Sequence, residues 1–319
     1  MKFVTISTDD FPESSRLADW REVYARNLAH ADIEPLDDRP FRASAKFLTL
    51  PDLSVTIDSR SDSRYIFGKE AVVRTADQVA LAIVTRGVGH VAQLGREVSS
   101  DVGAAVLVSG ADPLTATLRG DGTCTVLTFP RAALQRFVPD IDAALVRPIP
   151  RDVEALRLLT NYMGVLRDGD NSLSPDLALV YAGHLRDLAA LTLGARGEAR
   201  ELALARGAKA ARRKAILDAI DASAHAPNAS VAAIARKLGI SDRYIRAILQ
   251  ETGKTFSELV LERRLALVWA RFNDSQFNGQ SISEIAFSAG FSDISYFNRS
   301  FRRHFGETPT GVRGSGRSG

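Results

Sequence analysis

Between residues 42 and 129 apolar and polar positions alternate in short runs: ASAKFLTL, LSVTID, QVALAIVT, GHVAQL, VGAAVLVS, LTATL and CTVLTF. A period of two puts every second side chain on one face, so each run predicts a strand. Turn residues separate the runs at Pro51 and Asp52, Arg86 and Gly87, Gly89, 110–113 and 120–122. That spacing, about 8 to 12 residues, belongs to an all-β barrel or sandwich. Outside this block the period becomes helical. Leu17, Trp20, Val23, Tyr24 and Leu28 predict a helix over 15–28, and further helices are expected over 131–137, 152–167 and 174–193. The last carries a broad stripe of Leu177, Val180, Tyr181, His184, Leu185, Leu188 and Leu191. Such a stripe packs back onto the barrel or pairs two copies of the chain, which makes 152–193 a candidate homodimer surface. From residue 212 onward alternation disappears and Gly, Ser and Asn punctuate a series of helices. The expected fold class is multidomain α+β: a barrel domain with flanking helices over 1–195, a Gly/Ala/Arg-rich linker over 196–211, an all-α domain over 212–313 and a flexible tail, GSGRSG, over 314–319.

The all-α region repeats itself. Val231, Ile234, Ala235, Gly239, Ile240, Ser241 and Asp242 recur 51 residues later as Ile282, Ile285, Ala286, Gly290, Phe291, Ser292 and Asp293. Each copy has the parts of a helix-turn-helix. A short helix, VAAIARKL or ISEIAFSA, carries a small Ala where a second helix must approach, and Gly239 or Gly290 supplies the left-handed residue that ends it. Ser241 and Ser292 stand at the expected N-cap of the next helix, each followed by an Asp that suits the positive end of the helix dipole. Ser281 and Glu284 have capping-box spacing. In the second helices, Tyr244, Ile245, Ile248 and Leu249, and then Tyr296, Phe297, Phe301 and Phe305, are expected to be buried. That leaves Arg243, Arg246, Ala247 and Gln250 outward in one copy, and Ser295, Asn298, Arg299, Arg302 and Arg303 in the other. Arg pairs in bidentate fashion with guanine and Asn with adenine, while further Arg residues take phosphates.

Charge sharpens the division. The whole chain of 319 residues has a net charge of +3, but residues 1–205 hold 23 Lys and Arg against 28 Asp and Glu, a net of −5. Residues 206–319 hold 18 against 10, a net of +8. On charge alone such a segment is either a solvated face or a surface that attracts polyanions by counterion release; with two helix-turn-helix motifs on it, double-stranded DNA is the expected partner.

Residues 212–313 resemble the DNA-binding domain of the AraC/XylS family of bacterial transcription regulators. The likeness is carried by AFSAGFSDISYFNRSFRRHFGETP and by ISDRYIRAILQETGKTFSELVLERRLALV. The resemblance implies two helix-turn-helix subdomains joined by a long helix, here over 255–272, with recognition helices about 34 Å apart in successive major grooves. It also implies a cytoplasmic regulator, in all expectation an activator, that works with RNA polymerase and answers to a small-molecule effector. Many relatives carry Arg where this chain has Ala247, so base reading in the first copy falls to Arg243, Arg246 and Gln250. The N-terminal region is similar in pattern and position to the cupin-like sensor domains of the same family. Trp20, Phe41, Arg64, Tyr65, Phe67 and His90 are its candidate effector-binding residues, since such pockets are mostly apolar with a few placed polar groups.

Other functions are poorly served. No apolar run reaches the 18 to 20 residues of a membrane span, and MKFVTISTDDF lacks a signal core, so no membrane partner is expected. A metal-binding cupin needs a His-x-His pair with a further Glu and His. His90 has no second His before His184, so no metal or other cofactor is expected. The enzymatic alternative is a DNA-repair methyl-acceptor protein that shares this DNA-binding domain. It needs an activated cysteine, and the one cysteine, Cys124, lies in the apolar run TCTVLTF with no acid or base beside it.

Overall fold

The structure is a computed structural model that describes residues 3–167, 173–226 and 228–315. The chain divides into two units, Met1–Ala211 and Arg212–Gly319. The boundary moves Arg206 and Lys209 into the first unit, so the net charges become −3 and +6.

The first unit is built on one antiparallel sheet of ten strands: β1 (Val4–Ser7), β2 (Asp32–Pro35), β3 (Ala43–Leu50), β4 (Leu53–Arg60), β5 (Ser63–Phe67), β6 (Gln78–Gln93), β7 (Arg96–Ser100), β8 (Ala105–Ser109), β9 (Leu114–Pro130) and β10 (Pro148–Ile149). Four of the expected runs fuse in pairs. QVALAIVT and GHVAQL are one strand, β6, and LTATL and CTVLTF are one strand, β9. Gly87, Gly89, Gly120 and Gly122, expected at turns, lie inside these two strands, while 110–113 is a turn between β8 and β9 as expected. The β6–β9 register slips between Val84 and Arg86 and again between Arg86 and Val88. There Gly87 takes φ +79°, and a Cβ on it would meet the Arg119 carbonyl oxygen at 2.1 Å. Gly120 on the facing strand has φ +78°. Only glycine tolerates that approach and that conformation, so the bend is written into these positions.

The bend splits each long strand between two sets of neighbours. The half of β9 from Thr123 to Thr128 pairs with β4, and the half from Leu114 to Leu118 pairs with β5. On β6, residues 79–83 pair with β8 and residues 89–93 with β7. Two layers sharing two strands close around an interior, the cupin-like arrangement.

Helices cover the outside. α1 (Arg16–Trp20) runs on as a wider π-helical turn over Arg21–Ala29, where one continuous α-helix was expected. α2 (Lys69–Thr75) and α3 (Arg131–Gln135) are short connectors. α4 (Glu154–Arg167) and α5 (Pro175–Thr192, N-capped by Ser174) lay Leu156, Leu159, Met163, Tyr181, Leu185 and Leu188 against Leu81, Ile83, Leu127 and Phe129 of the sheet. Each Leu so buried contributes about 1.5 to 3 kcal/mol. Most of the expected α5 stripe thus packs onto the barrel. Leu177 and Val180 stay exposed, with Leu179 beside them.

The expected linker over 196–211 is helical. α6 (Gly197–Ala203) continues through a π turn, Leu204–Ala208, into α7 (Lys209–Ser223). Ala203, Ala208 and Ala211 are buried, and a Cβ on Gly207 would meet Asp187 Cβ at 2.7 Å. Asp187 is 1% exposed and accepts from Arg206 Nη2 at 3.1 Å. A composition of Gly, Ala and Arg reads as loop when its small residues are in fact what allows close packing.

The second unit has two small cores. Ile216, Ala219 and Ile220 of α7 pack with α8 (Val231–Leu238) and α9 (Asp242–Gln250). α11 (Ile282–Ser288) and α12 (Ile294–Phe305) form the other core, followed by α13 (Pro309–Ser315). α10 (Phe256–Phe272) serves both, with Leu259 and Val260 in the first core and Leu265, Val268 and Phe272 in the second. It starts with a capping box of Thr255 and Glu258. Of the expected tail, 316–319 lies outside the described residues.

Candidate nucleic-acid interface and effector cavity

Both recognition helices are set by their caps. The Ser241 side chain accepts from the Tyr244 N–H at 3.2 Å and starts α9 after Gly239, whose φ of +67° ends α8. In the second copy the cap is Asp293 and not Ser292: its carboxylate accepts from Ser295 N at 2.7 Å and Tyr296 N at 3.0 Å. The capping box of Ser281 and Glu284 before α11 is present.

The expected outward set is outward. Arg243, Arg246, Ala247 and Gln250 on α9, and Ser295, Asn298, Arg299, Arg302 and Arg303 on α12, are all exposed, while Ile245, Ile248, Leu249, Phe297 and Phe301 are buried. Among the described residues none of these five arginines is in a salt bridge. Their guanidinium groups are therefore available for phosphate or base edges. Tyr296 differs from expectation. It was grouped with the buried residues of α12 but is 45% exposed, one position from Ser295 on the first turn of the helix. Helical spacing places it at the border of the apolar stripe, with its ring centroid 6.5 Å from that of Phe291.

Arg264 of α10 ties this unit together. Its Nε donates to Ala224 O at 2.7 Å, its Nη2 donates to Ala226 O at 2.9 Å, and its guanidinium lies 6.0 Å from the Phe291 ring centroid. Gly290, with φ +98°, sits where a Cβ would strike His225 O at 2.6 Å. The end of α7, the middle of α10 and the turn of the second motif thus meet at one point. Arg313 of α13 donates to the carbonyls of Phe277 and Gln280, which anchors the C-terminal helix.

In the first unit the two layers enclose a cavity of about 460 Å³. Strand alternation sorts its wall: Ser54, Thr56, Asp58 and Arg60 of β4 face in, as do Cys124, Val126 and Thr128 of β9. Of the expected effector residues, Tyr65, Phe67 and His90 line the cavity. Trp20, Phe41 and Arg64 do not. Trp20 lies behind the wall, fully buried, with its Nε1–H donating to the Tyr65 hydroxyl at 3.0 Å. Phe41 belongs to the same aromatic cluster, with Tyr24 and Tyr65. Arg64 precedes an inward residue on β5 and so points out, to Glu34 at 3.3 Å. His90 is bonded locally to Ser99 Oγ at 3.1 Å through Nδ1.

Asp58 and Arg60 were not anticipated. They are 4% and 8% exposed and form an ion pair, with the Arg60 guanidinium 3.7 Å above the Tyr65 ring and its Nη2 donating to Ala116 O at 3.3 Å. Asp58 Oδ1 and Arg60 Nε have no partner. Burial pushes the Asp58 carboxyl above the usual range against the pull of Arg60. The signal was present in the sequence as polar residues at alternate positions of one strand, but the expected run stopped at Asp58 and left Arg60 outside it. Cys124 also faces the cavity, and burial pushes its thiol up to about 12, far from a reactive thiolate. Among the described residues no group of three or more His, Cys, Asp or Glu could hold a metal ion, and no helix is long and apolar enough to cross a membrane.

Residues 20–194 match the AraC-binding-like domain family, and residues 234–315 match a helix-turn-helix domain family. The protein belongs to the AraC family. Relatives of this AraC-family chain include the transcriptional activator RhrA of Rhizobium meliloti, 30% identical over 169 residues. That match takes in 53% of this chain and 52% of RhrA, so the chain spans about half the length of that relative. The transcriptional activator NphR of Rhodococcus is 24% identical over 315 residues, 96% of this chain and 91% of its own. The crystal structure of the AraC-like transcriptional activator CuxR shares the fold, with a TM-score of 0.53 at 17% identity, over 90% of this chain and 100% of that one. As an AraC-family member the chain is a DNA-binding transcriptional regulator, and the methyl-acceptor alternative is not favoured.

Proposed function

We propose that this regulator is an effector-responsive transcription activator of the cytoplasm, without catalytic activity, whose cavity takes a small molecule and whose two recognition helices read successive major grooves. The observation that carries the DNA half is the pair of unpaired basic faces, on α9 and α12, held by one shared helix, α10. Arg243, Arg246 and Gln250 read the first groove; Ser295, Asn298 and Arg299 read the second, joined by Tyr296, while Arg302 and Arg303 take phosphates. Tyr65, Phe67, His90, Asp58 and Arg60 contact the effector. RNA polymerase is the protein partner, and the exposed Leu177, Leu179 and Val180 of α5 form the contact between two copies. The names of RhrA and NphR as transcriptional activators support the direction of control.

Fluorescence anisotropy with the chain's own promoter region, at physiological salt, is expected to give binding at least about a thousandfold tighter than to random DNA. Equal affinity for both would refute specific recognition. A thermal-shift screen of metabolites on the full chain tests the cavity, and sedimentation of Leu179→Glu against the parent tests the contact between copies.

A further inference from the structure

The cavity wall is apolar over most of its extent, with Phe47, Leu48, Val84, Val106, Leu118 and Val126 among its residues. At about 460 Å³ it falls in the range of roughly 300 to 1,000 Å³ that buries drug-sized ligands. Its Asp, His and Arg lining residues are of two kinds. Asp112 and His90 are partly exposed and solvated, and His90 also faces Glu97 at 3.7 Å. Asp58 and Arg60 are out of water, and each compensates the other. A ligand bearing a net charge would add an uncompensated charge beside this balanced pair, in a place where desolvation is costly. An anion would be repelled by Asp58 as much as drawn by Arg60, and a cation the reverse. Asp58 Oδ1 and Arg60 Nε are closed off from the cavity as well as from solvent, so a guest meets the pair through its remaining atoms. A hydrogen bond to a charged group is stronger than one between neutral groups, and a hydroxyl makes it without adding charge.

We infer that the effector is an uncharged molecule with an apolar, ring-sized body and a hydroxyl group, the hydroxyl seated against Asp58 and Arg60 as donor to the one and acceptor from the other. The inference rests on the effector-binding role proposed above and narrows it to a chemical class.

Three probes with one ring system and three head charges test it on the full chain by titration calorimetry at pH 7: 1-naphthol, 1-naphthoate and 1-naphthylmethylammonium. The naphthol is expected to bind at least about tenfold tighter than either ion. Asp58→Asn leaves Arg60 as a net cation and is expected to move the preference to the naphthoate. Naphthoate or the ammonium compound binding the parent chain as tightly as naphthol overturns the assignment, while leaving a ligand-binding cavity in place. Naphthol failing to bind when the metabolite screen yields a charged ligand overturns it as well. If neither the probes nor the screen give any ligand, both the assignment and the effector role fall. Should Asp58→Asn not fold, the comparison of the three probes on the parent chain still decides.

Discussion

In the first unit, carboxylates are taken out of water: Asp58 against Arg60 in the cavity wall, and Asp187, 1% exposed, against Arg206 beneath the helices. In the second unit the arginines of the recognition helices face solvent without salt bridges among the described residues, and Glu258, Glu284 and Asp293 work as helix caps at the surface. The contrast fits the two partners proposed above. A polyanion is met by charges that stay mobile and hydrated until counterions leave. A small guest in a mostly apolar cavity is met by a few fixed dipoles. The same residue type therefore has different energetic consequences on the two sides of Ala211.

The largest expected effect is at the buried pair. Arg60→Ala strands Asp58 in the apolar wall and is expected to cost about 3 to 5 kcal/mol, whereas replacing both by apolar residues, Asp58→Leu with Arg60→Met, is expected to come much closer to neutral. The exposed helical pair of Lys214 and Asp218 in the second unit, broken by Lys214→Ala, is expected to cost about 0.3 to 0.5 kcal/mol. The chain has two tryptophans, Trp20 in the first unit and Trp269 in the second, so fluorescence in a Trp269→Phe background follows the first unit during urea unfolding. A loss under about 1 kcal/mol for Arg60→Ala would mean that water reaches Asp58 and would remove the contrast.

Next in size are the DNA contacts. Arg299→Ala is expected to cost about 1 to 3 kcal/mol and to relax discrimination at one base-pair position. Arg303→Ala, one turn further along α12, is expected to weaken all sequences alike and to lower the slope of log K against log salt by about 0.9. Anisotropy titrations with single-base operator variants at several salt concentrations separate the two. If Arg303→Ala altered base preference, the division of α12 into a reading turn and a phosphate turn would fail.

What the sequence disclosed differs between the units for a physical reason. Helical period and caps are local, so α8, α10 and α5 lie within a residue or two of expectation, and the outward face of α12 follows from the positions of Phe297 and Phe301. The exceptions there are local ties: Ser292 and Asp293 are both good caps, and geometry chooses the carboxylate that reaches two N–H groups. Sheets are decided by distant partners. Gly87 and Gly120 carry the same residue type as a hairpin turn, and only the facing strand makes them a bend within two long strands. The short strands β1, β2, β5, β7 and β10 gave no run long enough to read. In the cavity, residue type alone marks Tyr65 and Phe67, and whether Trp20 lines a pocket or supports its wall depends on a hydrogen bond across 45 residues of sequence.

The smallest effects are in pH dependence, where the two units are expected to have opposite signs. Hydrogen bonds from the Thr255, Ser281 and Tyr296 backbone N–H groups hold Glu258, Glu284 and Asp293 below the usual carboxylate range. The folded second unit thus binds fewer protons than the unfolded chain across that range. Its cap stability is complete above a pH of about 4 to 5 and is lost as the pH falls through the lowered values. Burial raises Asp58 and Asp187, against the opposing pull of Arg60 and Arg206, so the folded first unit binds more protons than the unfolded chain above that range. Its contribution from these groups is present at low pH and declines as the pH rises through the raised values. Urea midpoints measured against pH, with Trp20 reporting in a Trp269→Phe chain and Trp269 in a Trp20→Phe chain, resolve the two limbs. Asp293→Asn caps the helix without titrating and is expected to flatten the acid limb of the second unit; Asp187→Asn is expected to flatten the decline in the first. Parallel pH profiles for the two tryptophans, unchanged by either substitution, would show that the two units do not differ in how they hold their carboxylates.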